Sequence, residues 1–169
     1  MNRSRKVVFV PFCALAQGIR AQGIVRDFPA VIRPVVEILG KSDINIVQMP
    51  CPELFFDKLI RRPKQKSAYA DAKCQSNYRQ VADSVVKQVE MYLANGYKVI
   101  AIMGIEFSPS CAVNVITGPP PNRIRSGTGF FMEALSHSLR AKGIAIPMIG
   151  IKTRSPAEAV EELTAILRR

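Results

Sequence analysis

Apolar positions along this chain follow two alternating patterns. Residues 6–12 and 97–105 are near-continuous runs rich in Val, Ile and Phe or Met, and shorter runs at 45–49 and 144–151 resemble them. Runs of this kind read as strands buried on both faces of a parallel sheet. Between them, apolar residues recur every three or four positions: Ile32, Val35 or Val36 and Leu39; Tyr78, Val81, Val85, Val89 and Tyr92; Phe131, Leu135 and Leu139; Val160, Leu163 and Leu167. That spacing lines one face of a helix and predicts helices over residues 29–39, 74–95, 130–140 and 156–167. Gly40, Asn95-Gly96 and Gly143 are their predicted stops. Ser155-Pro156-Ala157-Glu158 supplies a Ser N-cap, Pro at N1 and Glu at N3 for the last helix. Pro34 falls inside the first helical span, where proline is best tolerated near the start.

Strand and helix alternate four times, with crossovers long enough for parallel pairing. The expected fold is therefore α/β, a Rossmann-like three-layer sandwich with a mostly parallel sheet, its binding edge at the carboxyl ends of the strands. At 169 residues the chain fits a single domain over 1–169. Residues 111–116 read as a helical continuation or a short strand. Residues 117–129, with Pro119–Pro121 and three glycines, read as an irregular excursion over the site or at a homodimer contact.

The cysteines change the picture most. Cys13, Cys51 and Cys111 each follow a predicted strand, in Val10-Pro-Phe-Cys13, Met49-Pro-Cys51-Pro-Glu53 and Phe107-Ser-Pro-Ser-Cys111. A parallel sheet brings those strand ends to one edge, so the three thiols are expected to converge. Taken singly, each is a small buried hydrophobe by default. Taken together they admit a phosphatase-like site with Arg20 beyond Cys13, a zinc site completed by His137 or water, or an iron–sulfur cluster with three protein thiolates and one open iron. Cys74 stands at a helix start with no matching strand and is not expected to be a ligand. Four cysteines without a close pair do not suggest a disulfide scaffold.

The net charge of +11 favours anionic partners, so RNA or a nucleotide on the basic surface is an expected class of contact. The densest basic stretch, Arg61-Arg-Pro-Lys-Gln-Lys66, reads as a solvated loop or as a lip for an anionic substrate. The basic start followed by residues 7–16 superficially copies a secretory leader, but Pro11 interrupts the run and no clean cleavage pattern follows. No stretch approaches 18 uninterrupted apolar residues. The expectation is a cytoplasmic protein without membrane contact.

The set Pro-Phe-Cys13, Cys51-Pro-Glu53 and Ser108-Pro-Ser-Cys111 resembles the DUF523 family, which includes the thiouracil desulfidases; the similarity reaches from about residue 6 to residue 115. The opening Pro-Phe-Cys13-Ala-Leu-Ala departs from the family's usual Ser-Ala-Cys and marks a divergent relative. The resemblance implies that Cys13, Cys51 and Cys111 bind a [4Fe-4S] cluster whose open iron takes the sulfur of a small thiolated substrate, a pyrimidine base, nucleotide or related thiocarbonyl compound. It implies hydrolase chemistry with Glu53 as acid or base and with Ser108 and Ser110 as hydrogen-bond partners of substrate or cluster. A salt bridge or helix cap is the structural alternative for Glu53, and turn capping the alternative for the serines. Glu106 is a weaker acid–base candidate, and Phe12, Phe107 and Asn114 are candidates for holding a base. The alternative function is a non-enzymatic iron–sulfur or zinc-binding module acting in sulfur transfer or partner interaction.

Overall fold

The structure is a computed structural model describing residues 3–120 and 123–168. Strand β1 (Lys6–Pro11) runs into a single helical turn, α1 (Phe12–Leu15), followed by helix α2 (Arg33–Lys41) and strand β2 (Asn45–Met49). Helix α3 (Ala72–Ala94) leads to β3 (Lys98–Ile105), then to a small antiparallel pair, β4 (Val115–Thr117) and β5 (Ile124–Ser126). Helix α4 (Phe130–Ala141), strand β6 (Met148–Ile151) and helix α5 (Ala157–Leu167) complete the fold.

The main sheet has the order β2-β1-β3-β6 and every pairing in it is parallel. The two inner strands explain their own composition: Val7, Val8, Phe9 and Val10 are fully buried, and β3 is buried from Val99 to Ile105. The flanking strands β2 and β6 are less completely buried, lying at the two edges of the sheet. Helix α3 packs on α4 and helix α2 on α5, one pair on each face, making the three expected layers. The chain leaves β1 for β2 on one side and crosses back to β3 on the other, so the carboxyl ends of β1 and β3 flank a topological switch point.

Several boundaries differ from expectation, each for a local reason. Helix α2 begins at Arg33, so Pro34 lies in its first turn, where the missing N–H removes no helical bond. Residues before it are held in loop geometry, with Ile32 N donating to Ala14 O at 2.8 Å and Gln17 N to Ala30 O at 2.7 Å. Helix α3 starts two residues early because the Asp71 carboxylate accepts the Cys74 N–H at 3.0 Å and caps it. The predicted Ser155 cap is not made: α5 starts at Ala157 with no side-chain cap, and Glu158 instead pairs with Lys152. Strand β6 is confined to Met148–Ile151, following Pro147, which has no N–H to donate. The excursion at 117–129 contains β5; Pro121 of its proline run lies outside the described residues.

Candidate functional site

Register brings the first two thiols together. Pro11 of β1 pairs with Met49 of β2, and Cys13 and Cys51 each lie two residues beyond that pair. Pro11, at φ −63° and ψ 142°, turns the chain straight from β1 into α1, which places Cys13 at the strand end. Cys51 precedes a 3-10 turn over Pro52–Phe55, its carbonyl accepting from Leu54 N at 3.3 Å.

The third thiol arrives by a loop that doubles back. Phe107 adopts φ +68°, a strained conformation for a bulky residue, and reverses the chain beyond β3. Ile105 N then donates to Cys111 O at 2.8 Å. Two glycines permit this return. A Cβ on Gly104 would lie 2.2 Å from Cys111 O, and one on Gly129 would lie 2.3 Å from the Ser110 carbonyl carbon. Ser110 O in turn accepts from Phe131 N at 3.0 Å, tying the loop to the start of α4. Ser108 Oγ accepts Ser110 N at 3.2 Å and Cys111 N at 3.0 Å, stapling the turn that carries the thiol.

Burial acts on Cys13, Cys51 and Cys111 alike, and Cys111 lies close enough to feel the other two. Burial pushes the Cys13 thiol up to about 12, with Cys51 as the next cause. Burial raises Cys51 as well, and burial followed by Cys13 and Cys51 raises Cys111 well above an ordinary thiol. Burial favours the neutral form of all three thiols. As the side chains stand, no three His, Cys, Asp or Glu groups among the described residues are arranged to hold a metal ion. The donor chemistry of the trio fits an iron–sulfur cluster held at three corners. His137 lies exposed on α4, and Cys74 is buried in the first turn of α3 beside Asp71, neither being grouped with the trio.

A polar wall adjoins the thiols. Glu53 Oε2 accepts from Arg61 Nη2 at 2.8 Å and Nε at 3.2 Å, with both side chains nearly buried. Its Oε1 accepts from Ser110 Oγ at 2.9 Å, and the Tyr78 hydroxyl lies 2.8 Å from the same Oγ. A carboxylate can only accept, so Ser110 donates to Glu53 and Tyr78 donates to Ser110. Arg20 donates from Nη1 to Gln17 Oε1 at 3.1 Å and to Thr153 Oγ1 at 3.3 Å, and its charge acts on both Cys13 and Glu53.

The structure therefore brings Glu53 and Ser110 together beside the thiols, while Ser108 serves the loop through its Oγ. Glu106 holds the loop instead of facing the site, being buried and accepting from Asn114 N, Asn114 Nδ2 and Val115 N. Asn114 is thereby committed to Glu106; Phe12 is partly buried and Phe107 is exposed at the rim. Most of the basic stretch faces solvent, Arg62, Pro63, Lys64 and Gln65 being exposed, while three of its cations have partners. Arg61 turns inward, Lys64 pairs with Asp57, and Lys66 pairs with Glu133 and lies 4.3 Å from the Phe130 ring centroid. Tyr78 carried no sequence signal of a site role, because it sits in the apolar stripe of α3 and looks like core. Arg20 was legible only through its distance from Cys13.

The fold is that of an α/β protein of the doubly wound type, with Cys13, Cys51 and Cys111 near the carboxyl edge of its sheet. No protein-family model matches the chain. It is 31% identical over 111 residues to the uncharacterized protein MJ0003 of Methanocaldococcus jannaschii, a match covering 66% of this chain and 70% of the relative, and it belongs to that protein's family. Among solved structures, the [4Fe-4S]-dependent thiouracil desulfidase TudS, of the DUF523 group, shares the fold: the TM-score is 0.53 at 19% identity, over 95% of this chain and 99% of that one. No helix among the described residues is long and apolar enough to cross a membrane.

Proposed function

We propose that this protein is an iron–sulfur-dependent desulfidase, with Cys13, Cys51 and Cys111 as ligands of a [4Fe-4S] cluster and a thiolated pyrimidine or related thiocarbonyl compound as substrate. The observation that carries the reading is the gathering of Cys13, Cys51 and Cys111 beside a carboxylate and a hydroxyl, with burial, Cys13 and Cys51 together raising the Cys111 thiol. The fold shared with a protein named as a [4Fe-4S]-dependent thiouracil desulfidase supports it. When bound, the cluster would supply a Lewis-acidic iron that draws electron density from the thiocarbonyl sulfur.

The remaining work falls to the chain's own groups. Water adds to the thiocarbonyl carbon, the C–S bond breaks, and the net change is thiocarbonyl plus water to carbonyl plus hydrogen sulfide. Glu53 takes the water's proton at Oε1, the oxygen not held by Arg61, and later returns it to the departing sulfur. Ser110, its proton directed at Glu53 by Tyr78, holds that oxygen in place. Arg61 grips the other oxygen through two N–H groups and so orients the carboxylate.

A second reading, a non-enzymatic iron–sulfur or zinc-binding module acting in sulfur transfer or partner interaction, is favoured by one fact: both Glu53 oxygens already have partners. The test is anaerobic reconstitution with iron and sulfide, on the wild type and Cys111→Ala. About four irons and four sulfides per chain, lost in the variant, with sulfide released from a thiolated pyrimidine and abolished in Glu53→Gln, support the desulfidase. A full cluster with no sulfide release supports the second reading. Less than about one iron, with stoichiometric zinc instead, refutes the cluster.

A further inference from the structure

At the opposite edge of the sheet, away from the thiols, three segments enclose an open cleft of about 910 Å³. Arg3 and Arg5 come from the chain entering β1, Met91 and Tyr92 from the last turn of α3, Asn95 from its C-cap, and Tyr97 from the turn entering β3. Its size falls within the range of small-ligand sites, yet it lies where the doubly wound fold places no site of its own.

Its chemistry is one-sided. Arg3 and Arg5, two residues apart in extended chain, project to the same side. Among the described residues neither guanidinium has a hydrogen-bonded or ion-paired partner, and no carboxylate lines the cleft. Arg5 lies across Gly96, where a Cβ would stand 3.1 Å from Nη1; Gly96 at φ +74° leaves that space open. The aromatic wall is held in place. The Tyr92 and Tyr97 rings meet edge to face at 5.2 Å between centroids, and Tyr92 meets buried Phe9 in the same manner at 6.0 Å. Asn95 is fixed by its Nδ2 donating to Met91 O at 2.8 Å.

Two guanidiniums without a partner among the described residues, beside two half-buried tyrosines, form a phosphate clamp next to an aromatic surface, the combination that binds single-stranded nucleic acids. An open cleft lets a strand pass through rather than end inside. We propose that this cleft binds single-stranded nucleic acid, with Arg3 and Arg5 holding successive phosphates and a base packing on Tyr97. The overall charge of +11 supplies the attraction that brings a strand to it. This site does not depend on the desulfidase reading and has its own assay.

The probe is a fluorescein-labelled ten-nucleotide oligouridylate, with binding followed by anisotropy from 25 to 200 mM salt on the cluster-free full chain. Removing two phosphate contacts from a single strand lowers the slope of log K against log salt by about 1.4. R3A/R5A is therefore expected to weaken binding at least tenfold at low salt and to flatten the slope by that amount. Tyr97→Leu should weaken binding about 5- to 100-fold without changing the slope. R79A/R140A removes two exposed charges from the outer faces of α3 and α4 and should leave both quantities near wild type. Equal losses in R3A/R5A and R79A/R140A would mean diffuse attraction and overturn the site. So would absence of binding at 25 mM salt, or full competition by millimolar inorganic phosphate with Tyr97→Leu unchanged, which would leave a bare anion site.

Discussion

Arg61→Met tests whether the wall beside the thiols is built as a buried ion pair. Arg61 and Glu53 are only 8% and 12% exposed, and Arg61 also donates to Ile19 O at 2.6 Å, joining the Pro52–Phe55 turn to the loop after α1. Methionine keeps much of the side-chain volume but leaves Glu53 with Ser110 as its remaining partner. Breaking a buried pair from one side costs about 3–5 kcal/mol, against about 0–1 kcal/mol for an exposed pair. At about 2–4 °C per kcal/mol for a domain of this size, the melting temperature should fall by about 6–20 °C. Urea unfolding should lose about 2 M in midpoint at a slope near 2 kcal/mol/M. Glu53→Gln removes the charge that Arg61 answers, so the double variant should be less destabilised than the two single losses added together. A loss below about 1 kcal/mol in Arg61→Met, with additive behaviour in the double variant, would show that the pair is solvated and would remove Arg61 from the account of how Glu53 is held.

Gly129→Ala and Gly104→Ala should each destabilise by about 3 kcal/mol and displace the Cys111 loop, because the new methyl meets backbone rather than a movable side chain; Gly40→Ala, with nothing within 4 Å, should instead raise the melting temperature slightly. Equal melting temperatures in all three would refute the close approach. Glu106→Leu strips the Asn114 and Val115 N–H groups of their acceptor, at about 1–3 kcal/mol each. Hydrogen exchange at those two amides should accelerate well beyond the global change in stability, and unchanged protection there would refute the role. Burial beside Asp71 pushes Cys74 up to about 11. Iodoacetamide labelling of native Cys74 should therefore keep rising about tenfold per pH unit to about pH 10; a plateau near pH 9 would contradict it.

Much of the architecture was written in local pattern. The uninterrupted apolar runs of β1 and β3 specified buried central strands, and the spacing of Tyr78, Val81, Val85 and Val89 specified α3, because side-chain periodicity is a property of each element alone. That Cys13 and Cys51 lie just beyond neighbouring strand ends was legible for the same reason: parallel strands share an edge, so residues just beyond them share a neighbourhood. What the chain could not announce was which polar groups meet there. Arg61 read as one charge in a basic run and Tyr78 as one ring in a helical stripe, yet they approach Glu53 and Ser110 from opposite sides across 8 and 32 residues of sequence. Glu106 read as a candidate acid until a loop closed four hydrogen bonds around it. Hydrophobic periodicity is short-range and survives in one dimension, whereas hydrogen-bond partners are chosen only when packing decides which distant segments touch and which buried groups must be satisfied.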